Sequence, residues 1–449
     1  MPGLIGADGF AKVASAALDL YGVDGVEVLS IHEWGGITRF ANSEIHQSTF
    51  REDTALRVRV VSRGRTGVAS SNDFSERGAR QAARSAKEMA DVAAPDPLFP
   101  GLAPKADIPS VDRFFAATAD ATPASRADSV AALIGRCPEG FVAAGAFETA
   151  AVELGLANTE GLSCWSPSSM ASLTTVMTGG EHGSGFAETF AGSADEIDAP
   201  AIGRRAADKA VASQRPVALD PGTYPVVLEP AAVATLAGFL AYVGFGGRAY
   251  LEDRSCFSGK QGAQVAAPSI SMWDDATDPR TLGAPFDFEG VPRQRVQLIE
   301  DGVFLDAVYD MRTAKQAGRT STGHGLPSPN PEGPFPLNLF MAEGESTVEE
   351  MIGVTDRGLL VTRFHYSNIV NPVESSITGM TRDGTFLIEH GEVVGPVMNF
   401  RFTQSILDAL SNVSLVGNQA ELASEFFFSA SRVPALKVEA FHFSGRSDH

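Results

Sequence analysis

The sequence predicts an α+β protein: an N-terminal α/β domain with a mixed sheet and flanking helices, followed by a β-rich C-terminal domain. Three observations lead there. Helical periodicity brackets a run of strand-like segments in the first half. The second half is cut by Gly and Pro into short apolar runs with few helical stretches. The chain's 449 residues exceed what one ordinary core supports, which implies two large domains of roughly 200 residues each. The boundary is placed near residue 215, dividing the chain into 1–215 and a β-rich 216–449.

Residues 8–21 set Phe10, Val13, Ala16, Leu18 and Tyr21 at helical spacing. Strand-like runs follow at 26–31, 37–41, 56–61 and 66–70, separated by Gly and polar turns. Asn72 and Asp73 offer a cap for a helix over 76–93, rich in Ala, Arg and Glu. The proline-rich stretch 95–109 cannot continue that helix and is expected to lie as a loop across the domain. A helix near 126–135, strands near 141–157 and 170–177, and a helix over 194–212 complete the first domain. The second opens on the turn Asp220-Pro221-Gly222, delivering a strand that ends at Leu228. Turn signals recur at Glu300-Asp301-Gly302, Arg382-Asp383-Gly384 and His390-Gly391-Glu392, as short strands require. No internal repeat or long charge run is visible.

Composition narrows the function. With 44% hydrophobic and 20% charged residues, 45 Gly and 26 Pro, the chain is that of a folded protein with many turns. The balance of 35 Lys+Arg against 55 Asp+Glu gives a net charge of -20, which repels phosphate backbones and anionic lipid and argues against nucleic-acid and membrane partners. Arg57, Arg59, Arg63 and Arg65 alternate with apolar residues and read as a solvated sheet face. No apolar window is long enough for a membrane span and no basic leader precedes one, so a soluble cytoplasmic protein is expected. Cys137, Cys164 and Cys256 lack CxxC spacing and read as reduced thiols.

A metal hydrolase needs two or three ligands converging on one point, with a carboxylate to activate water. The eight histidines are His32, His46, His182, His324, His365, His390, His442 and His449, and no two lie within a helical turn or two. His32-Glu33 opens an HExxH-like string, but residue 36 is Gly and the segment is strand-like. Glu181-His182-Gly183 lies in a Gly-rich loop. Gly183-Ser184-Gly185 is not a nucleophile elbow, and Gly259-Lys260 lacks the rest of a phosphate loop. The densest polar and glycine cluster of the second half is 318–325, containing Ser321, Thr322 and His324; it reads as a connecting loop or as a groove lined by backbone N–H groups.

Five segments carry a resemblance: Thr38-Arg39-Phe40-Ala41-Asn42-Ser43-Glu44-Ile45-His46-Gln47, Tyr224-Pro225-Val226-Val227-Leu228-Glu229-Pro230, Tyr309-Asp310 leading into Ser321-Thr322-Gly323-His324-Gly325, Leu387-Ile388-Glu389-His390-Gly391-Glu392, and Val433-Pro434-Ala435-Leu436-Lys437-Val438. In order and spacing they resemble the TldD/PmbA family of zinc-protease subunits over nearly the whole chain. The resemblance implies a two-domain subunit whose C-terminal half dimerises and faces a sheltered cavity. It further implies two subunit types. One carries an HExxxH helix and a later cysteine as zinc ligands and cleaves unfolded or small peptides held as an added strand; the other lacks the metal set and serves as partner.

Here the corresponding helix is 231–243, and Gly238, Phe239 and Val243 stand where the ligands would be. None has a lone pair to give zinc, and no cysteine follows Cys256. The resemblance therefore implies the metal-less PmbA/TldE-type member of a proteolytic family. Such a chain has no catalytic residue and no cofactor of its own, with zinc on the partner subunit. The implied partners are a TldD-like zinc-bearing homologue in a heterodimer, or a second copy in a homodimer, and an extended peptide substrate. Arg39, Asn42, His46, Ser321, Thr322, His324 and His365 are the residues expected to line the peptide or cavity, the first three otherwise ordering a turn. Two other readings stand beside this one: an independent hydrolase using His324, His365 and Glu374, and a protein-binding regulator such as a gyrase modulator.

Overall fold

The computed structural model describes residues 3–424 and 430–447. The first half runs α1 (Gly6–Leu18), β1 (Gly25–Ala41), β2 (Glu44–Ser62), β3 (Arg65–Ser71), α2 (Glu76–Val92), α3 (Ala116–Ala119), α4 (Pro123–Ile134), β4 (Phe141–Asn158), β5 (Ser163–Gly179), β6 (Gly183–Ala191) and α5 (Ala199–Ala212). The second half continues with β7 (Gly222–Leu228), α6 (Pro230–Val243), α7 (Gly247–Leu251), β8 (Met272–Asp274), β9 (Val296–Glu300), β10 (Val303–Phe304), α8 (Met311–Ala317), β11 (Leu339–Met341) and α9 (Val348–Gly353). It ends with β12 (Arg357–Asn371), β13 (Ser376–Glu389), β14 (Glu392–Pro396), β15 (Phe400–Ser405), α10 (Ile406–Ser411), β16 (Val413–Ala423) and β17 (Ser431–Arg446).

The runs expected at 26–31 and 37–41 are one strand, β1. Gly36 does not break it. A Cβ there would collide with the Arg126 guanidinium, so the residue makes room for a close approach instead of a turn. At the end of β1, Asn42 and Ser43 adopt φ of 52° and 61°, as a two-residue type I′ hairpin turn demands. β1 and β2 consequently pair from Gly25↔Val61 out to Ala41↔Glu44.

The first sheet has the order β3-β2-β1-β4-β5-β6, and every pair in it is antiparallel. The α+β class is as expected, but the mixed pairing lies in the second sheet. Short turns between consecutive strands permit only antiparallel neighbours in the first. Each half of the first sheet is a three-strand meander between two helices, so the topology is duplicated although no repeat is visible in the sequence. Gly67 on β3 packs on α2, where a Cβ would meet the Ala86 carbonyl and the Ala90 amide; Gly185 on β6 packs on α5 against Ala206 and Ala210 in the same way. The opening helices cross over: α1 reaches β4, and α4 reaches β1.

In the second sheet β7 pairs with both β12 and β17, so β7, β12, β13, β15 and β17 close on themselves. β7–β12 and β11–β17 are the parallel pairs. Phe364, Phe402, Phe441 and Phe443 pack together within this closure, tilted ring pairs lying 4.5 Å apart between centroids for Phe364–Phe402 and 5.2 Å for Phe441–Phe443. The stretch 95–109 ties the halves together: Asp96 pairs with Arg312 at 2.6 Å, and Lys315 donates to the Phe99 carbonyl at 2.8 Å. No helix among the described residues is long and apolar enough to cross a membrane.

Because Gly67 and Gly185 leave no space for a methyl group, Gly67→Ala and Gly185→Ala should each destabilise the protein by about 1–3 kcal/mol. Urea unfolding measures this; variants as stable as the parent would contradict the packing.

Candidate functional site

α6 starts at Pro230, whose missing N–H costs nothing at a helix start. Its N-cap Glu229 makes no side-chain cap bond and pairs with Lys209 instead. The helix is aliphatic on almost every side and is buried accordingly, against β12, β16 and β17. Of the residues set against the zinc ligands, Phe239 and Val243 are buried and Gly238 is half-buried. Cys256 is buried too, and burial pushes its thiol up to about 12, so it is no ready thiolate. Among the described residues no group of three or more His, Cys, Asp or Glu could hold a metal ion; His449 lies outside them. The side chains on and around α6 do not fit the HExxxH-plus-cysteine zinc centre.

The other expected site residues fall in three places. Arg39 donates to Gln47 at 3.0 Å on the exposed end of the β1–β2 hairpin, Asn42 forms its turn, and His46 is exposed on β2. β3 covers β2 only from Leu56 to Ser62, so the outer edge of β2 before Leu56 has no strand beside it among the described residues. Ile45 and Phe50 are exposed there.

His324 does not line a cavity. It is fully buried, its Nε2 lying 2.9 Å from Asp274 and its Nδ1 2.9 Å from Thr322. Ser321 and Thr322 both donate to the Tyr309 carbonyl, at 3.1 and 3.0 Å. Asp274 also accepts the Asn338 amide at 2.6 Å. Polar residues here satisfy one another inside the protein instead of facing a groove.

His365 is half-buried on β12; burial, with Arg363 and Arg382 nearby, lowers its pKa. Glu374 is exposed in the turn after β12, its amide on the Asn371 side chain. No hydrogen bond or ion pair among the described residues joins His324, His365 and Glu374. His32 is likewise structural: it is buried beside Glu153 at 2.9 Å, the carboxylate that also accepts the Ile5 and Gly6 amides at the start of α1. His182 sits at φ 67° in the β5–β6 turn.

The face carrying Arg57 and Arg59 is covered, which corrects its reading as solvated. Arg57 donates to the Ser328 carbonyl at 2.9 Å, and buried Arg59 pairs with Glu27 at 2.7 Å. Burial works against the Arg59 charge, but Glu27, Glu289 and Asp287 outweigh it. Glu289 and Asp287, in the loop between β8 and β9, form an acidic pair, Asp287 buried and Glu289 half-buried, that sequence reasoning missed. Asp287 accepts amides from Gly325 at 2.7 Å and from Glu289 and Val291 at 2.9 Å, whereas Glu289 accepts that of Met311 at 2.8 Å. Burial raises the Asp287 pKa, against the lowering by its three amides and Arg293. Burial, then Asp287 and Asp310, push Glu289 up to about 8.

The fold has clear relatives. The model of the PmbA/TldA metallopeptidase C-terminal domain matches residues 221–445, domain 1 matches 26–90 and the central domain matches 112–214. The chain belongs to this PmbA/TldD family of metalloprotease subunits. Metalloprotease PmbA of Escherichia coli O157:H7 is 25% identical over 451 residues, covering 95% of each chain. A metalloprotease TldD homolog of Haemophilus influenzae is 27% identical over 230 residues, 51% of this chain but 47% of that one, so the TldD match spans about half of that relative. TldE from Thermococcus kodakarensis shares the fold with a TM-score of 0.86 at 22% identity, covering 94% of this chain and 97% of its own.

Two outcomes follow from the buried groups. A carboxyl near 8 when folded, against an ordinary 4.5, binds its proton more tightly folded than unfolded. Its contribution to stability is therefore full below about pH 4.5 and is lost as pH climbs through about 8. Glu289→Gln has no proton to lose and should gain on the parent steadily across that window in thermal unfolding; parallel pH curves would refute the assignment. His324→Ala leaves the Asp274 carboxylate buried without its imidazole and should cost about 3–5 kcal/mol in denaturant unfolding, a loss under 1 kcal/mol (about the worth of an exposed pair) being the contrary result.

Proposed function

We propose that this chain is the non-catalytic partner subunit of a TldD/TldE-type zinc metalloprotease that acts on unfolded or small peptides in the cytoplasm. The observation that carries the reading is the chemistry of α6: glycine, phenylalanine and valine stand against the ligand positions, and Cys256 is a buried thiol. Zinc and the catalytic carboxylate then belong to a TldD-like homologue, and a second copy of this chain occupies the same surface when that homologue is missing.

Two surfaces support the reading. The open side of α6 shows Tyr242 and continues into a cleft of about 320 Å³ shared with Phe335, Ile369 and Val373. Beyond it Tyr366 and Val370 are exposed on β12. Contiguous apolar surface of this kind suits a protein partner. For the substrate, the open edge of β2 offers backbone hydrogen-bonding groups beside Ile45 and Phe50, the pattern by which an extended peptide adds to a sheet.

The test is metal content by mass spectrometry, paired with peptide cleavage, on the chain alone and after co-expression with a histidine-bearing TldD-type homologue. The lone chain should be zinc-free and inert, and the complex should hold about one zinc per pair and cleave. Val370→Asp with Val373→Asp should weaken the complex by about tenfold or more while leaving the circular dichroism unchanged. Stoichiometric zinc and cleavage by the lone chain would sink the reading.

A further inference from the structure

The C-terminal end of β12 is bulged twice. Tyr366 and Ser367 together stand between the pairs His365↔Met380 and Asn368↔Thr378, where β13 has only one residue, and Val370 is extra between Ile369↔Ile377 and Asn371↔Ser376. Each bulge turns an apolar side chain into solvent, Tyr366 being 73% exposed and Val370 56%. Tyr366 also holds φ at 51°, the left-handed conformation that glycine ordinarily supplies at the first position of such a bulge and that strains any side chain. The lone chain gains no burial in return for that strain. The His365 ring meets the Tyr366 ring edge-on, 4.7 Å away between centroids, so the phenol projects in a fixed direction.

A hollow lies beside this projection. Ile369, three residues or about 10 Å farther along the strand, lines the cleft of about 320 Å³ together with Val373, Tyr242 and Phe335. A tyrosine ring suits apolar walls of this kind, burying about 150–250 Å² and asking for one acceptor at its hydroxyl. Glu332 lines the same cleft, exposed and without an ion pair among the described residues. Charge is divided in the same sense. Arg401 stands beside the projection, in register with His365 through Met380, and is exposed and unpaired among the described residues. Glu374 stands beside the hollow, next to Val373, and is equally exposed and unpaired.

We propose that Tyr366 anchors a twofold self-association, in which the Tyr366 ring of each copy enters the cleft of the other and its hydroxyl donates to Glu332 there. Projection and hollow, and basic and acidic flanks, lie side by side on one face, which is what an isologous pair of identical chains requires. Arg401 of each copy meets Glu374 of the other, and Val370, between anchor and cleft, lies close to the axis. The proposal rests on the reading of this surface as a partner surface and names its occupant and its anchor.

Analytical ultracentrifugation of the full chain should show a monomer–dimer equilibrium between about 0.1 and 100 µM. Tyr366→Gly should weaken it about tenfold or more, as loss of an aromatic anchor does. At a concentration where parent and variant are both monomeric, the same variant should keep or raise the Tm, because glycine takes this backbone conformation without strain. Arg401→Glu should weaken association about threefold or more, and adding Glu374→Arg should recover it. The proposal is overturned if the chain stays monomeric up to about 100 µM, if Tyr366→Gly associates like the parent or lowers the monomer's Tm, or if the reversed charge pair recovers nothing. A monomeric lone chain that still gives zinc and cleavage with the TldD-type homologue would remove this proposal and leave the subunit reading standing. Zinc and cleavage by a lone, Tyr366-dependent dimer would do the opposite.

Discussion

The second half of the molecule depends on the burial of one aliphatic helix. α6 has almost no polar face to turn outward, so the strands close around it: β7 leads into it, β12 and β17 flank it, and β16 lies over its side. Each Leu, Val or Phe side chain it buries is worth about 1.5–3 kcal/mol, which outweighs anything a solvent-facing arrangement would offer. A zinc-binding helix must hold imidazoles and a carboxylate with partners for their remaining polar atoms, and around α6 the neighbours are aliphatic and aromatic.

The two halves are joined by a different kind of force. Asp96 with Arg312, Arg205 with Glu421 and Ser184 with Asp383 all bridge the halves, and each contact is half-buried. Such contacts contribute orientation more than net stability, because desolvation offsets much of their attraction. Beside these polar contacts an apolar cluster also crosses between the halves, Leu154, Leu156 and Leu162 packing with Phe286.

Elements with strong periodicity were legible in the sequence: α1 and α2 from helical spacing, although the cap of α2 is Ser75 and not the expected Asn72 or Asp73, and α6 from its apolar composition. The continuous β1 was not, because Gly35-Gly36 reads as a break unless one knows that Arg126 lies against it. Alternation on β2 identified a strand but could not say what covers its Arg59 face, since the cover comes from a loop more than two hundred residues away. The burial of His324 was not legible because polarity suggests exposure, whereas Asp274 and Thr322 partner both of its ring nitrogens. The pair Asp287 and Glu289 looks in sequence like any acidic turn; its burial is a tertiary fact.

The duplicated topology of the first sheet carries a consequence for how this region can be cut or lost. The opening helix of each unit reaches across to the other's innermost strand, and those two strands pair from Glu27↔Asn158 to Phe40↔Gly145. Excising either unit would strip the cover from its neighbour and expose a long raw edge. The pair is thus the smallest inheritable piece, a twofold assembly made permanent by covalent linkage, so truncations, domain grafts and evolutionary deletions must take both copies or neither.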